Sequence, residues 1–187
     1  SLAEHGHWTG EVWNRRKSGE IYPEMLNISA VRDAAGKVRH YVGLFTDITQ
    51  IKSHQQQLEH IAHYDVLTNL PNRLLFAEHL QQAMAQAVRR EIQLAVVYLD
   101  LDGFKAINDQ HGHSMGDNLL VVLAHRMRTA LREGDILARL GGDEFAAVLV
   151  DLNTAVDAQP VLARLLRTAA DPVEIDDAVL RVSASIG

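Results

Sequence analysis

The chain contains no cysteine, which excludes a disulfide framework and any metal site built on thiolates. No apolar run approaches the length needed to cross a bilayer, and no secretory leader pattern opens the sequence. Basic residues are the minority, 18 Lys and Arg against 24 Asp and Glu. The formal charge of −6 argues against a surface for nucleic acid or another polyanion. At 187 residues with 47% hydrophobic content, the length suits one full domain and part of another. The expectation is a soluble intracellular module, and the sequence carries nothing on membrane segments elsewhere in a longer parent.

The most informative stretch is Arg139-Leu140-Gly141-Gly142-Asp143-Glu144-Phe145. Apolar, strand-like runs flank it, Ile136 to Leu140 before and Phe145 to Val150 after. Gly-Gly between such runs reads as a hairpin turn, because glycine reaches positive φ without steric cost. Asp143 and Glu144 are therefore expected at the turn. A rigid acidic turn suits a divalent cation held against a phosphate, and it equally suits a merely solvated loop. A second acidic feature lies at Gln93 to Asp102, an apolar run that ends in carboxylates. It reads as a strand buried on both faces, with Asp100 at its C-terminal end. If that strand pairs with the hairpin, Asp100 and Asp143 converge on one metal. Mg²⁺ favours such a set: one or two carboxylates, with water and substrate phosphate completing the shell. A calcium loop beginning at Asp100 is excluded, since its glycine is fourth rather than sixth and His111 stands at the closing glutamate position.

These residues carry a family resemblance. From about His60 to Gly187 the chain resembles a GGDEF domain, the catalytic domain of diguanylate cyclases. The matching pieces are His63 to Arg73, Asp100 to Asp109, Gly112 to Asp117 and the acidic hairpin, in order and at matching spacing. The resemblance implies condensation of two GTP molecules into cyclic di-GMP, with release of two pyrophosphates across a homodimer of half-sites. It implies Mg²⁺ or Mn²⁺ held by Asp100, Asp143, Glu144 and the Leu101 carbonyl. Asp143 takes the proton-acceptor position, and Glu144 stands beside it as further ligand or orienter. Asn108 and Asp117 match the guanine-reading positions. Phe104, Lys105 and Gly142 match those that cradle phosphate. Each has a plainer reading: Asn and Asp often cap helices, and Lys105 alone is an ordinary surface lysine. His111 and His113 have no zinc spacing.

Arg132-Glu133-Gly134-Asp135 ends six residues before Gly141. This resembles the inhibitory product site of many diguanylate cyclases, where Arg132 forks onto guanine or phosphate and Asp135 accepts from a guanine edge. Spacing alone leaves that level with a C-terminal helix arginine followed by a glycine turn.

Residues 1–48 are organised differently. Trp8 to Arg16, Glu20 to Arg32 and Val38 to Asp47 read as three antiparallel strands, turning at Lys17-Ser18-Gly19 and Asp33 to Gly36. From Gly6 to Thr49 they resemble the C-terminal half of a PAS domain. Between the parts, at 49–62, lies a helical linker. Ile48, Ile51, Gln55, Leu58 and Ala62 follow 3-4-3-4 spacing, which fits either a connector packed on its own domain or a parallel signalling pair.

The rest, 63–187, alternates helix and strand. Arg73 to Arg89 has a stripe at Phe76, Leu80, Met84 and Val88. Asp117 to Leu131 and Ala155 to Ala169 are further helices, and Val179 to Ile186 a strand. The pattern reads as an α+β fold, and the resemblance implies a palm-like GGDEF domain related to nucleotide cyclases, with a partial PAS sheet and a connecting helix. The family normally continues past Gly187 into a hairpin and a last helix, so an excised piece is expected and its own turnover stays open. GTP use and absent cysteine suggest a cytoplasmic location, with inner-membrane tethering of the parent left open. The rival readings are a non-catalytic GTP-binding module serving an attached phosphodiesterase domain, and a cyclic di-GMP receptor.

Overall fold

The computed structural model describes residues 2–187, in two compact units that divide between Glu59 and His60. The first unit opens with a helical turn, α1 (Leu2–His5), and continues into β1 (His7–Arg15), β2 (Ile21–Arg32) and β3 (Val38–Asp47). The three strands form one antiparallel sheet in the order β1-β2-β3. Its turns are chemically specified. Gly19 takes φ 92°, and Asp33 Oδ1 accepts from the amides of Ala35 and Lys37 at 3.0 Å each. Much of this sheet is uncovered, with Trp13 75% and Phe45 61% exposed.

Helix α2 (Thr49–His63) follows β3 directly. Asp47 starts it, its Oδ1 accepting from the Thr49 amide at 2.9 Å while the carboxylate also pairs with Arg16. Hydrogen bonding from Thr49, then from Arg16, lowers its pKa to about 2. Among the described residues α2 buries none. Of the predicted seam, Ile48 is 6% exposed while Ile51 and Leu58 are 62% and 68% exposed, so the apolar seam is buried only at its start.

The second unit contains α3 (Arg73–Arg90), β4 (Gln93–Asp102), α4 (Phe104–His111), α5 (His113–Thr129), β5 (Ile136–Gly141) and β6 (Glu144–Leu152). After a 3-10 turn at Ala155–Ala158 come α6 (Gln159–Ala170), β7 (Val173–Ile175), β8 (Ala178–Leu180) and β9 (Ser183–Ile186). The main sheet is antiparallel throughout, in the order β5-β6-β4-β9. Strand alternation sends Val97, Leu99, Leu101, Leu137, Phe145, Ala147 and Leu149 into one core with Leu120, Leu123 and Met127 of α5 and Leu165 of α6. Ala138, Ala146 and Val148 face the other way and receive Phe76 and Ala83 of α3. The fold is therefore α+β, as the pattern predicts.

Three expectations shift. The predicted α3 stripe keeps Phe76 and Leu80, but Met84 and Val88 are 53% and 80% exposed. Steps of four residues drift about 40° each at about 100° per residue, so Val88 has rotated off the buried face and Ala83 replaces Met84. β4 is not buried on both faces near its end. There Val97, Leu99 and Leu101 are buried, while Tyr98 is 55% exposed. The predicted strand from Val179 to Ile186 divides into β8 and β9, because Ala178–Leu180 pairs back on β7.

Leu123 is fully buried between helix and sheet. Leu123→Ala is expected to cost about 2–5 kcal/mol, read as a lower urea midpoint at unchanged slope.

Candidate active site

The β5–β6 hairpin presents the acidic residues. Gly141 pairs with Glu144, so the turn is Gly142-Asp143, one residue later than the Gly-Gly pair suggests. Gly141 has φ 144° and Gly142 φ 55°, and the register slips between Arg139 and Gly141. The conformation depends on glycine.

A guanidinium holds this turn. Arg139 donates from Nε and Nη2 to the Gly142 carbonyl, at 2.9 and 2.7 Å. Its Nη1 donates to Asp65 Oδ1 at 2.9 Å. Asp65 also accepts from the Thr68 amide and hydroxyl, at 2.8 and 2.6 Å. Burial disfavours the Asp65 charge, but the Thr68 bonds and Arg139 outweigh it and hold the pKa below the usual carboxylate value. No spacing in the sequence marks Arg139 or Asp65 as an anchor. The Arg–Asp pair spans 74 positions, beyond any local spacing signal.

Asp100 sits directly across from Glu144 on the adjacent strand and from Ser185 on the other side. Its pKa is raised, first by desolvation and then by the charges of Asp143, Asp102 and Glu144. Asp102 is held by the hydroxyls of Ser183 and Ser185 at 3.0–3.1 Å. Asp100 and Glu144 line an open cleft of about 780 Å³ with Arg73, Tyr98 and Ser185. Leu101 is 1% exposed and paired with Ala184, so its side chain belongs to the core and only its main chain is available. Among the described residues, no three His, Cys, Asp or Glu side chains close around a common point. A hard cation taking one or two carboxylates, with water and phosphate, needs no such cage. The crowded carboxylates at Asp100, Asp143 and Glu144 fit it.

The predicted nucleotide-reading residues meet at the α4–α5 corner. Gly103 precedes α4 at φ 86° without a side-chain cap, which leaves the first turn, at Phe104 and Lys105, open to an anion. Phe104 is 8% exposed and Lys105 is exposed. Asn108 lies inside α4, and Asp117 lies inside α5, four residues after its start. Neither is a helix cap. Asn108 Oδ1 is buried without a partner. It rests on Gly116, where a Cβ would come within 1.9 Å of that oxygen. Asp117 follows immediately, with its side chain exposed.

Arg132 and Asp135 stand apart from these groups in environment. Arg132 is exposed. Asp135 is 5% exposed, and its oxygens accept from the amides of Arg132 (3.1 Å) and Val150 (3.2 Å).

Residues 62–187 match the family described as Diguanylate cyclase, GGDEF domain. The chain belongs to that family. Residues 1–50 match the PAS domain family. Relatives of the GGDEF domain include the bifunctional diguanylate cyclase/cyclic di-GMP phosphodiesterase MucR of Pseudomonas aeruginosa, 42% identical over 74% of this chain and 20% of its own length. Diguanylate cyclase TpbB of the same species is 41% identical over 74% of this chain and 32% of its length. The chain thus spans a third or less of these relatives. A structure of the TpbB GGDEF domain alone superposes with a TM-score of 0.64 at 43% identity, covering 67% of this chain and 73% of that one. The coiled coil and GGDEF domain of DgcB from Caulobacter crescentus, in complex with c-di-GMP, gives 0.65 at 26% identity, covering 75% of each chain. No helix among the described residues is long and apolar enough to cross a membrane.

Two outcomes test this geometry. Asp65 has a depressed folded pKa, so its stabilisation is complete above the unfolded value near 3.9. That contribution is lost as pH falls through the lower folded value. Asp65→Asn is expected to lower stability at pH 7 and flatten the loss below about pH 4 in a denaturation series. Gly116→Ala is expected to displace Asn108, because a Cβ there would meet its side-chain oxygen, and to lower the thermal midpoint in a melting experiment.

Proposed function

We propose that the GGDEF domain condenses two GTP molecules into cyclic di-GMP with release of two pyrophosphates, one GTP per domain across a homodimer. The observation that carries this reading is the cross-strand pairing of Asp100 with Glu144 beside the Asp143 turn. Asp100, Asp143, Glu144 and the Leu101 carbonyl would hold Mg²⁺ or Mn²⁺. Bound there, the cation supplies charge neutralisation at phosphate oxygens and acidifies a nearby hydroxyl.

The chain's own residues do the rest. Asp117 accepts from guanine N1–H and N2–H₂, and the Asn108 amide donates to or accepts from the purine edge. The main chain at Phe104 and Lys105 and the Lys105 ammonium hold the phosphates, while Gly142 lets the turn approach them. Asp143 takes the proton from a 3′-hydroxyl. That oxygen forms a bond to the α-phosphorus of the opposing nucleotide, and the bond to pyrophosphate breaks. Alignment of the two nucleotides supplies the entropic part of the rate, and Glu144 orients the carboxylate set.

Product feedback through Arg132 and Asp135, control by the PAS unit through α2, and an additional phosphodiesterase domain in the parent belong to the same proposal. MucR, named as bifunctional, supports the last. Cytoplasmic operation follows from GTP as substrate.

The test is cyclic di-GMP formation from GTP and Mg²⁺ by the parent protein, compared with Asp143→Ala. The variant is expected to lose at least about 100-fold in rate. Equal rates would overturn the assigned role of Asp143. A folded, dimeric, GTP-binding parent that makes no product would instead identify a non-catalytic regulatory module.

A further inference from the structure

Among the described residues lining the acidic cleft, Arg73 is the single basic side chain. It is the first residue of α3. The backbone beneath it is fixed: Asn72 accepts from the amides of Leu74 and Leu75 at 3.0 and 3.1 Å, and donates to the Ala62 carbonyl at 2.9 Å. The side chain is largely in solvent. Arg73 Nη2 stands 3.9 Å from Glu144 Oε2, with the two side chains 73% and 60% exposed. Arg73 also lines a neighbouring cleft of about 570 Å³, with Asp65, Arg139 and Gly141. One guanidinium therefore borders both spaces.

We propose that Arg73 is the exchangeable cation of this cleft: it holds Glu144 before a divalent cation arrives, and turns to the nucleotide phosphates once the metal takes the carboxylates. The proposal rests on the cyclase reading. Asp100, Asp143 and Glu144 repel one another, and a guanidinium beside Glu144 offsets part of that repulsion. A metal and Arg73 on the same carboxylate repel each other in turn, so they compete. Once displaced, the guanidinium still borders both clefts beside the carboxylates, where its planar fork matches the oxygens of a phosphate better than an ammonium does. Arg73 would weaken metal binding in the free protein and strengthen nucleotide binding in the loaded one. The device couples the two, so that metal and nucleotide each favour the binding of the other.

The test is a Mn²⁺ titration of the full chain without nucleotide, read by electron paramagnetic resonance. Arg73→Ala is expected to bind Mn²⁺ about threefold to fivefold tighter, the scale of an exposed ion pair. Arg73→Lys should stay near wild type, and the gain should vanish in a Glu144→Gln background. With Mn²⁺ present, the affinity of Arg73→Ala for a non-hydrolysable GTP analogue should fall about tenfold or more. Unchanged or weaker Mn²⁺ binding by Arg73→Ala, or a gain that persists with Glu144→Gln, would overturn the proposal. Failure of the cyclase reading shows separately, as absent product from wild type, and leaves the Mn²⁺ comparison intact. Equal thermal midpoints for wild type and Arg73→Ala exclude a folding effect.

Discussion

The second unit depends on one guanidinium. Arg139 lies on β5, yet its hydrogen bonds go to the turn that follows and to a loop 74 positions earlier. Asp65, itself clamped by Thr68, gives that guanidinium a fixed anchor. The acidic turn thus takes its position from the entry loop of the domain as well as from its two strands. Charge-assisted bonds of this kind are directional and short, which suits them to fixing a backbone carbonyl. The backbone reinforces the link, since the Arg139 amide donates to the Pro71 carbonyl at 3.0 Å.

The two faces of the sheet are used unequally. One is packed by α5 and α6 with large aliphatic side chains, and supplies most of the core. The other is covered by α3 over a strip of small residues, Ala138 and Ala146, both fully buried. Where α3 begins, cover ends, and Tyr98, Asp100 and Glu144 reach solvent. The cleft is the part of a sheet face that a single helix leaves open.

Much of this was legible in the sequence. Helix and strand runs, the hairpin with its acidic turn and the strand that carries Asp100 all carry local signals: periodicity, turn residues or ordered motifs. What was not legible has a common cause. Met84 and Val88 are apolar, but a stripe read in steps of four drifts round the helix, and the tertiary arrangement shows which part of it the sheet covers. The exposed face of β4 depends on where α3 starts. The anchoring role of Asp65 requires knowing that Arg139 reaches it. Gly116 sits in a quoted motif, but the need for glycine there comes from the Asn108 side chain lying against it. Periodicity reports the element, and the neighbour reports the role.

The burial of Asp135 has a mechanical consequence. Its carboxylate ties the Arg132 amide to the Val150 amide, joining the loop before β5 to the far end of β6. Arg139 fastens the same hairpin at its tip. Fraying at either end of the ribbon would have to break one of these anchors, so the strand pair is restrained at both ends and not by its ladder alone.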